Sequence, residues 1–114
     1  FGSDRQALTA AKSALQNSWD LKIDEPARQF FYMPLIHSES LTDQDRAVRL
    51  IMTRMPDGKS LGLPHAQAHR EIIRKFGRFP TRNNALSRKS TPQEEAYRVA
   101  GGYGLTLREL AQRA

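Results

Sequence analysis

Apolar residues recur along this chain every three or four positions, the spacing of one helix face, and no segment shows the alternating β-branched pattern of a strand. Leu8, Ala11, Leu15 and Trp19 make the first stripe, and Ser3 with Gln6 ahead of it has the form of a capping box. A second helix is predicted from Asp24-Glu25-Pro26, where a proline in the first turn costs no hydrogen bond. It carries Ala27, Phe30, Phe31, Met33 and Leu35, and Pro34 inside it predicts a kink or an end near His37. Thr42 with Asp45 predicts the cap of a third helix, buried through Val48, Ile51, Met52 and Met55 and stopped by the turn Pro56-Asp57-Gly58.

Lys59 to Leu63 then reads as a connector. Pro64 opens a fourth helix with His65, His69, Ile72, Ile73 and Phe76 on one side, and Gly77 supplies the left-handed residue that closes it. A short turn or helix follows from Arg82 to Ser87. Thr91-Pro92-Gln93-Glu94 is the clearest cap in the chain: an N-cap hydroxyl, a proline at the first helical position and a glutamate at the third. That fifth helix should end at Gly101-Gly102, and Thr106 with Glu109 suggests a last amphipathic helix. Helix starts near Asp4, Glu25, Asp43 and Pro64 lie about twenty residues apart, which suits antiparallel helical hairpins stacked on one another. The expectation is an all-α fold in one domain over residues 1–114. No exact internal repeat is present, so a stacked array rests on spacing alone. Because the chain opens at Phe1 and not at methionine, truncation at the N-terminus is part of that expectation.

Composition narrows the classes. The chain has no cysteine, which excludes disulfides and thiolate metal sites and fits a reducing cytoplasm, the expected location. No apolar run approaches the roughly 18 residues of a membrane span, and nothing resembles a signal peptide, so no membrane partner is expected. The net charge of +6 is concentrated. Seven bases lie between Arg70 and Lys89 against the single acid Glu71, so the other bases and acids balance at eleven each. Such a segment attracts phosphates, nucleic acid or acidic partners, unless it is simply a solvated helix end.

Within it, Arg74 to Asn83 (RKFGRFPTRN) is the most unusual stretch. Gly77 ends a helix and Pro80 stiffens the exit, so Arg78, Arg82 and Asn83 project from a constrained corner. Guanidinium groups fixed this way bind carboxylate or phosphate through paired hydrogen bonds. The competing reading has Arg78 and Arg82 capping helix ends or pairing with Glu94 and Glu95. Phe76 and Phe79 read as core anchors before stacking platforms. His65 and His69 share the i, i+4 spacing of metal-binding imidazoles, but no glutamate follows His65, and a third ligand would have to come from His37 or Glu39. No metal and no cofactor are therefore expected. His37-Ser38-Glu39 brings an imidazole, a hydroxyl and a carboxylate together in sequence, yet neighbouring residues point in different directions, and a polar link between helices is the better reading. With no phosphate-binding glycine loop and no nucleophile elbow, the chain reads as a poor enzyme.

The segments FFYMPLIHSES, LTDQDRAVRL and AHREIIRKFGRFPTRNNALSRKSTPQEEAY resemble, in order and spacing, a bacterial family catalogued as domain of unknown function 924. The resemblance runs from Phe30 to Tyr97, with weaker agreement back to Phe1. It implies a tetratricopeptide-like (TPR-like) helical fold in a right-handed array, and it implies no reaction. Its matching positions include His37, Ser38, Glu39, His69, Arg78, Phe79, Pro80, Arg82 and Asn83, then Arg88, Ser90, Thr91 and Glu94. The chain departs from the family at Thr81, where a histidine is usual, and at Ser87, where a glycine is usual. The family's upstream aromatic-Pro-Arg-Asn motif would lie before Phe1, making this chain the C-terminal portion of a longer domain.

Three functions follow in order. The first is a non-catalytic helical binding module whose pocket of Arg78, Arg82, Asn83, His69, His37, Glu39 and Arg88 takes a small anion, an acidic peptide or a protein partner. The second is a hydrolase-like or other enzyme acting on a small phosphorylated or carboxylated metabolite, with His37 or His69 as general base. Nucleic-acid binding through residues 70–89 comes third, because no helix presents polar base-reading residues.

Overall fold

Helices account for every regular element among the described residues of the computed structural model, which are 2–25, 27–56 and 59–113, with side chains described for 4–25, 27–56 and 62–113. The order is α1 (Gly2–Gln16), 3₁₀ turns at Trp19–Lys22 and Ala27–Phe31, α2 (Met33–Ile36), α3 (Leu41–Arg54), α4 (Lys59–Phe76), a 3₁₀ turn at Pro80–Arg82, α5 (Pro92–Val99) and α6 (Gly102–Arg113). Helices α3 and α4 form an antiparallel hairpin: Asp45 near the start of one stands 3.8 Å from Arg70 late in the other. Helix α6 packs along α4, with α5 folded back on α6, while α2 packs beside α3 and α1 packs on α2. The main core gathers Leu15, Tyr32, Leu35, Val48, Ile51 and Met55, and a smaller cluster joins Ile72, Ile73 and Phe79.

Several predicted elements form differently. The first stripe buries Ala11 and Leu15, but Trp19 is half exposed, because α1 stops at Gln16 and Ser18 turns left-handed at φ 55°. No helix spans 24–37. Pro34 sits in the first turn of the short α2, where its missing amide hydrogen costs nothing, so it starts a helix where a kink was expected. Tyr32 takes the buried place, and Phe30 faces outward. Helix α3 is entered through Ser40, not capped by Thr42, and Met52 on it is exposed.

The stretch 59–63 is helix, not connector, and Pro64 lies inside α4. Tertiary packing offsets the hydrogen bond Pro64 cannot make. Gly62 sits so close to the Ala27–Phe31 turn that a Cβ there would stand 3.1 Å from Gln29 Oε1, and Leu63 packs on the main core. Helix α6 begins at Gly102, so Thr106 is a buried mid-helix residue bonded to the Tyr97 hydroxyl at 2.6 Å and caps nothing. The side chain of Ser3, and Pro26, Asp57 and Gly58, on which other predicted caps and turns rest, lie outside the described residues. Among the described residues no helix is long and apolar enough to cross a membrane.

One charged group ties the first half together. Asp20 has no exposed surface; it accepts the Tyr32 hydroxyl at 2.6 Å and Arg54 Nη1 at 2.8 and 2.9 Å. Burial alone would raise the Asp20 pKa, but the Tyr32 and Arg54 bonds outweigh it and hold the carboxyl ionised. Arg28 joins in by donating to the backbone carbonyls of Ile23 and Arg54. Asp20→Ala leaves Arg54 and the Tyr32 hydroxyl without their acceptor and should cost about 3–5 kcal/mol in urea unfolding. Tyr32→Phe, which deletes one donor and no charge, should cost about 1–2 kcal/mol.

Candidate functional site

The segment after α4 is a loop closed on itself. Gly77 adopts φ 72° and returns its amide to the Ile73 carbonyl at 2.8 Å, as the glycine's position after Phe76 requires. Arg82 N–H then bonds Phe79 O at 3.0 Å, and Arg88 N–H bonds Asn83 O at 2.7 Å. At its end Thr91 and Glu94 make the predicted capping box: Glu94 N–H donates to Thr91 Oγ1 at 3.1 Å, and Thr91 N–H donates to Glu94 Oε1 at 2.8 Å.

That box fixes a carboxylate in the interior, and the loop arginines build on it. Glu94 is 3% exposed and receives Arg78 through two bonds, Nε at 2.9 Å and Nη2 at 2.7 Å. Asn83, 1% exposed, donates to Glu94 at 3.4 Å and to Ser90 at 3.1 Å, while its Oδ1 accepts Arg88 Nε at 3.1 Å. Arg88 reaches across to Glu39, between α2 and α3, with bonds of 2.8 and 3.1 Å. Glu39 also accepts the Phe79 amide at 2.7 Å. The pair with Arg78 is the main reason the Glu94 pKa falls to about 2, against the opposing effect of burial. Burial would raise the Glu39 pKa, but its Arg88 and Phe79 bonds outweigh that and bring it down.

Next to this brace is a cleft of about 380 Å³. Ile72, Phe79, Pro80, Tyr97 and Tyr103 supply its apolar and aromatic wall; His37, His69, Thr81, Arg82 and Asp4 supply its polar groups. Arg82 Nη2 donates to Asp4 Oδ2 at 2.7 Å, linking the loop to α1 across 78 residues of sequence. The His37 and His69 rings face each other at 6.0 Å between centroids. His69 also meets the rings of Phe79 at 5.6 Å and Tyr103 at 5.1 Å, both edge-on. His65 is tied to the Tyr103 hydroxyl at 2.7 Å.

The seven residues singled out in the sequence thus divide in two. Arg78, Asn83, Arg88 and Glu39 are joined in the brace, while His37, His69 and Arg82 line the cleft. Arg78 does pair with Glu94, but Glu95 pairs with Arg98, at 2.5 Å. Phe79 is 7% exposed within the smaller core cluster and also presents its ring to the cleft. Sequence reasoning missed Asp4, Tyr97 and Tyr103. The Gly101-Gly102 pair, with φ 125° and 57°, is the signal for the two tyrosines, since it folds α6 back and brings Tyr103 to α4. Asp4 has no such signal. Among the described residues no group of three His, Cys, Asp or Glu side chains could hold a metal ion.

The brace should show in the acid limb of stability. Glu94 has an ordinary pKa of 4.5 and a folded value of about 2, so its contribution is fully present above about pH 4.5 and is lost as pH falls toward 2. Glu94→Gln should cost about 2 kcal/mol at pH 7, less than a fully buried pair because Arg78 can rehydrate, and should flatten the decline between pH 5 and 2. Urea unfolding of both proteins across that range measures it.

A solved structure titled as a protein of unknown function, ATU0120, from Agrobacterium tumefaciens matches with a TM-score of 0.74 and 39% identity over 86% of this chain. The match takes in 53% of that chain, so the present chain spans about half its length. No curated protein matches. A family model described as a bacterial protein of unknown function (DUF924) matches residues 1–102, and the chain belongs to that family.

Proposed function

We propose that this chain forms the ligand-holding part of a non-catalytic helical binding module, and that its cleft takes a small anion or the carboxylate of an acidic peptide or protein partner at Arg82. The α3–α4 and α5–α6 hairpins are consistent with the TPR-like right-handed array implied by the sequence resemblance, and that arrangement, like the cytoplasmic location expected from the cysteine-free composition, belongs to the proposal. One observation carries the reading. In the lining of an aromatic cleft, Arg82 already holds a carboxylate, and that carboxylate belongs to Asp4, whose side chain is 56% exposed. An exposed carboxylate on a guanidinium contributes little to stability and exchanges readily for a ligand's own anion. His37 and His69 flank the same space, and the wall offers apolar surface to the rest of the ligand.

The pairing pattern weighs against nucleic acid. Each of the five arginines between residues 70 and 89 has a carboxylate partner: Asp45, Glu71, Glu94, Asp4 and Glu39 in turn. The basic segment is therefore largely neutralised within the fold and is not a stripe of open cations for a phosphate backbone.

The test is ligand titration of the full chain with acetate, benzoate and inorganic phosphate, followed by thermal shift and amide chemical shifts. Stabilisation should appear with at least one anion, disappear in Arg82→Ala, and strengthen about 2- to 5-fold in Asp4→Asn, which removes the competing carboxylate. Identical titrations of wild type and Arg82→Ala would end the proposal.

A further inference from the structure

His69 lines the cleft, and its contacts define its chemistry. Its Nδ1 lies 2.7 Å from the His65 carbonyl oxygen, which can only accept, so Nδ1 carries the proton. In the neutral ring Nε2 is then an acceptor with a free lone pair. The neutral form is the favoured one: burial, helped by His37 and His65, lowers the His69 pKa and outweighs the carbonyl bond that favours the cation. Ring contacts from Phe79, Tyr103 and His37 fix the imidazole's orientation. Among the described residues no group bonds Nε2, and it is not among the buried atoms left without a partner, so it keeps exposed surface on a residue that lines the cleft. An oriented acceptor in a largely apolar cleft calls for a donor from the ligand, because an analogue lacking one leaves it unsatisfied.

We infer that the cleft selects a small cyclic carboxylate bearing a hydroxyl or N–H group, with the carboxylate on Arg82, the ring against Phe79, Tyr97 and Tyr103, and the donor on His69 Nε2. This rests on the proposed anion site and narrows it. A carboxylate is chosen because the group seated on Arg82 in this fold is one, and a ring because the wall is built of aromatic side chains and Pro80. His69 acts here as a specificity residue through its tautomer, a role that ring packing alone would not supply.

The experiment compares benzoate, 3- and 4-hydroxybenzoate and the two corresponding methoxybenzoates on the full chain. One hydroxybenzoate should bind about 3- to 10-fold tighter than its methoxy counterpart, and the ring ¹⁵N resonance of His69 Nε2 should move with that ligand and not with benzoate. His69→Phe should abolish the preference while Arg82-dependent benzoate binding persists, and His69→Gln, which keeps an acceptor, should retain part of it. Equal affinities for hydroxyl and ether, a preference that survives His69→Phe, or an Nε2 resonance that does not respond in the wild type would each overturn the inference and leave the anion site standing. If no probe shows Arg82-dependent binding, the anion site itself is wrong, and this inference falls with it.

Discussion

The Glu94 carboxylate is where local and long-range structure meet. Its position is set locally, because a capping glutamate at the third position of α5 must turn back to the Thr91 amide. Once there, it is nearly sealed from water and needs donors to offset its desolvation. Arg78 supplies two and Asn83 a third, alongside the Thr91 amide. Asn83 in turn orients Arg88, and Arg88 reaches Glu39. A single cap thereby fixes the loop from Gly77 to Ser90 against α5 on one side and against the α2–α3 junction on the other. Phe79, Pro80 and Arg82 belong to that loop, so the cleft inherits its shape from a network that lies outside it.

The arginines of this region show how one residue type takes on two jobs. The side chains of Arg78, Arg82 and Arg88 are 26%, 28% and 22% exposed, values too alike to separate them. Their partners do: Glu94 is 3% exposed, Glu39 26% and Asp4 56%. A guanidinium paired with a sealed carboxylate cannot be released without stranding a buried charge, a cost of several kcal/mol. One paired with a carboxylate in water can change partner at little cost. The exposure of the anion, more than that of the cation, is what separates Arg82 from the other two and supports the anion site proposed there.

This also explains what could be read from the sequence. The left-handed residue at Gly77 and the Thr91–Glu94 box are local devices, complete within five residues, and both form as predicted. The prolines were harder, because each admits more than one register. Pro34 fits a kinked long helix or the first turn of a short one, and only the burial of Tyr32 and Leu35 selects the second. Pro64 looks like a helix start until the contact between Gly62 and Gln29, thirty-three positions apart, is known. The site was half legible for the same reason. Sequence singled out the residues with the right chemistry, but the sorting of brace from cleft depends on carboxylates 16, 49 and 78 residues away.

The cleft's own polar groups bear on whether it holds a ligand or transforms one. A general base needs a reacting proton within reach and usually a second group to orient or stabilise what forms. His65 is tied to Tyr103, and Tyr97 to Thr106. Ring packing and a carbonyl bond hold His69 in one orientation and tautomer, and the nearest imidazole, His37, stands a ring's width away. These constraints suit an acceptor that must present the same lone pair to every ligand, which is what selectivity between a hydroxyl and an ether demands. They suit proton transfer less well, because a pKa pushed down by burial makes His69 a weaker base in the cleft than a histidine in water.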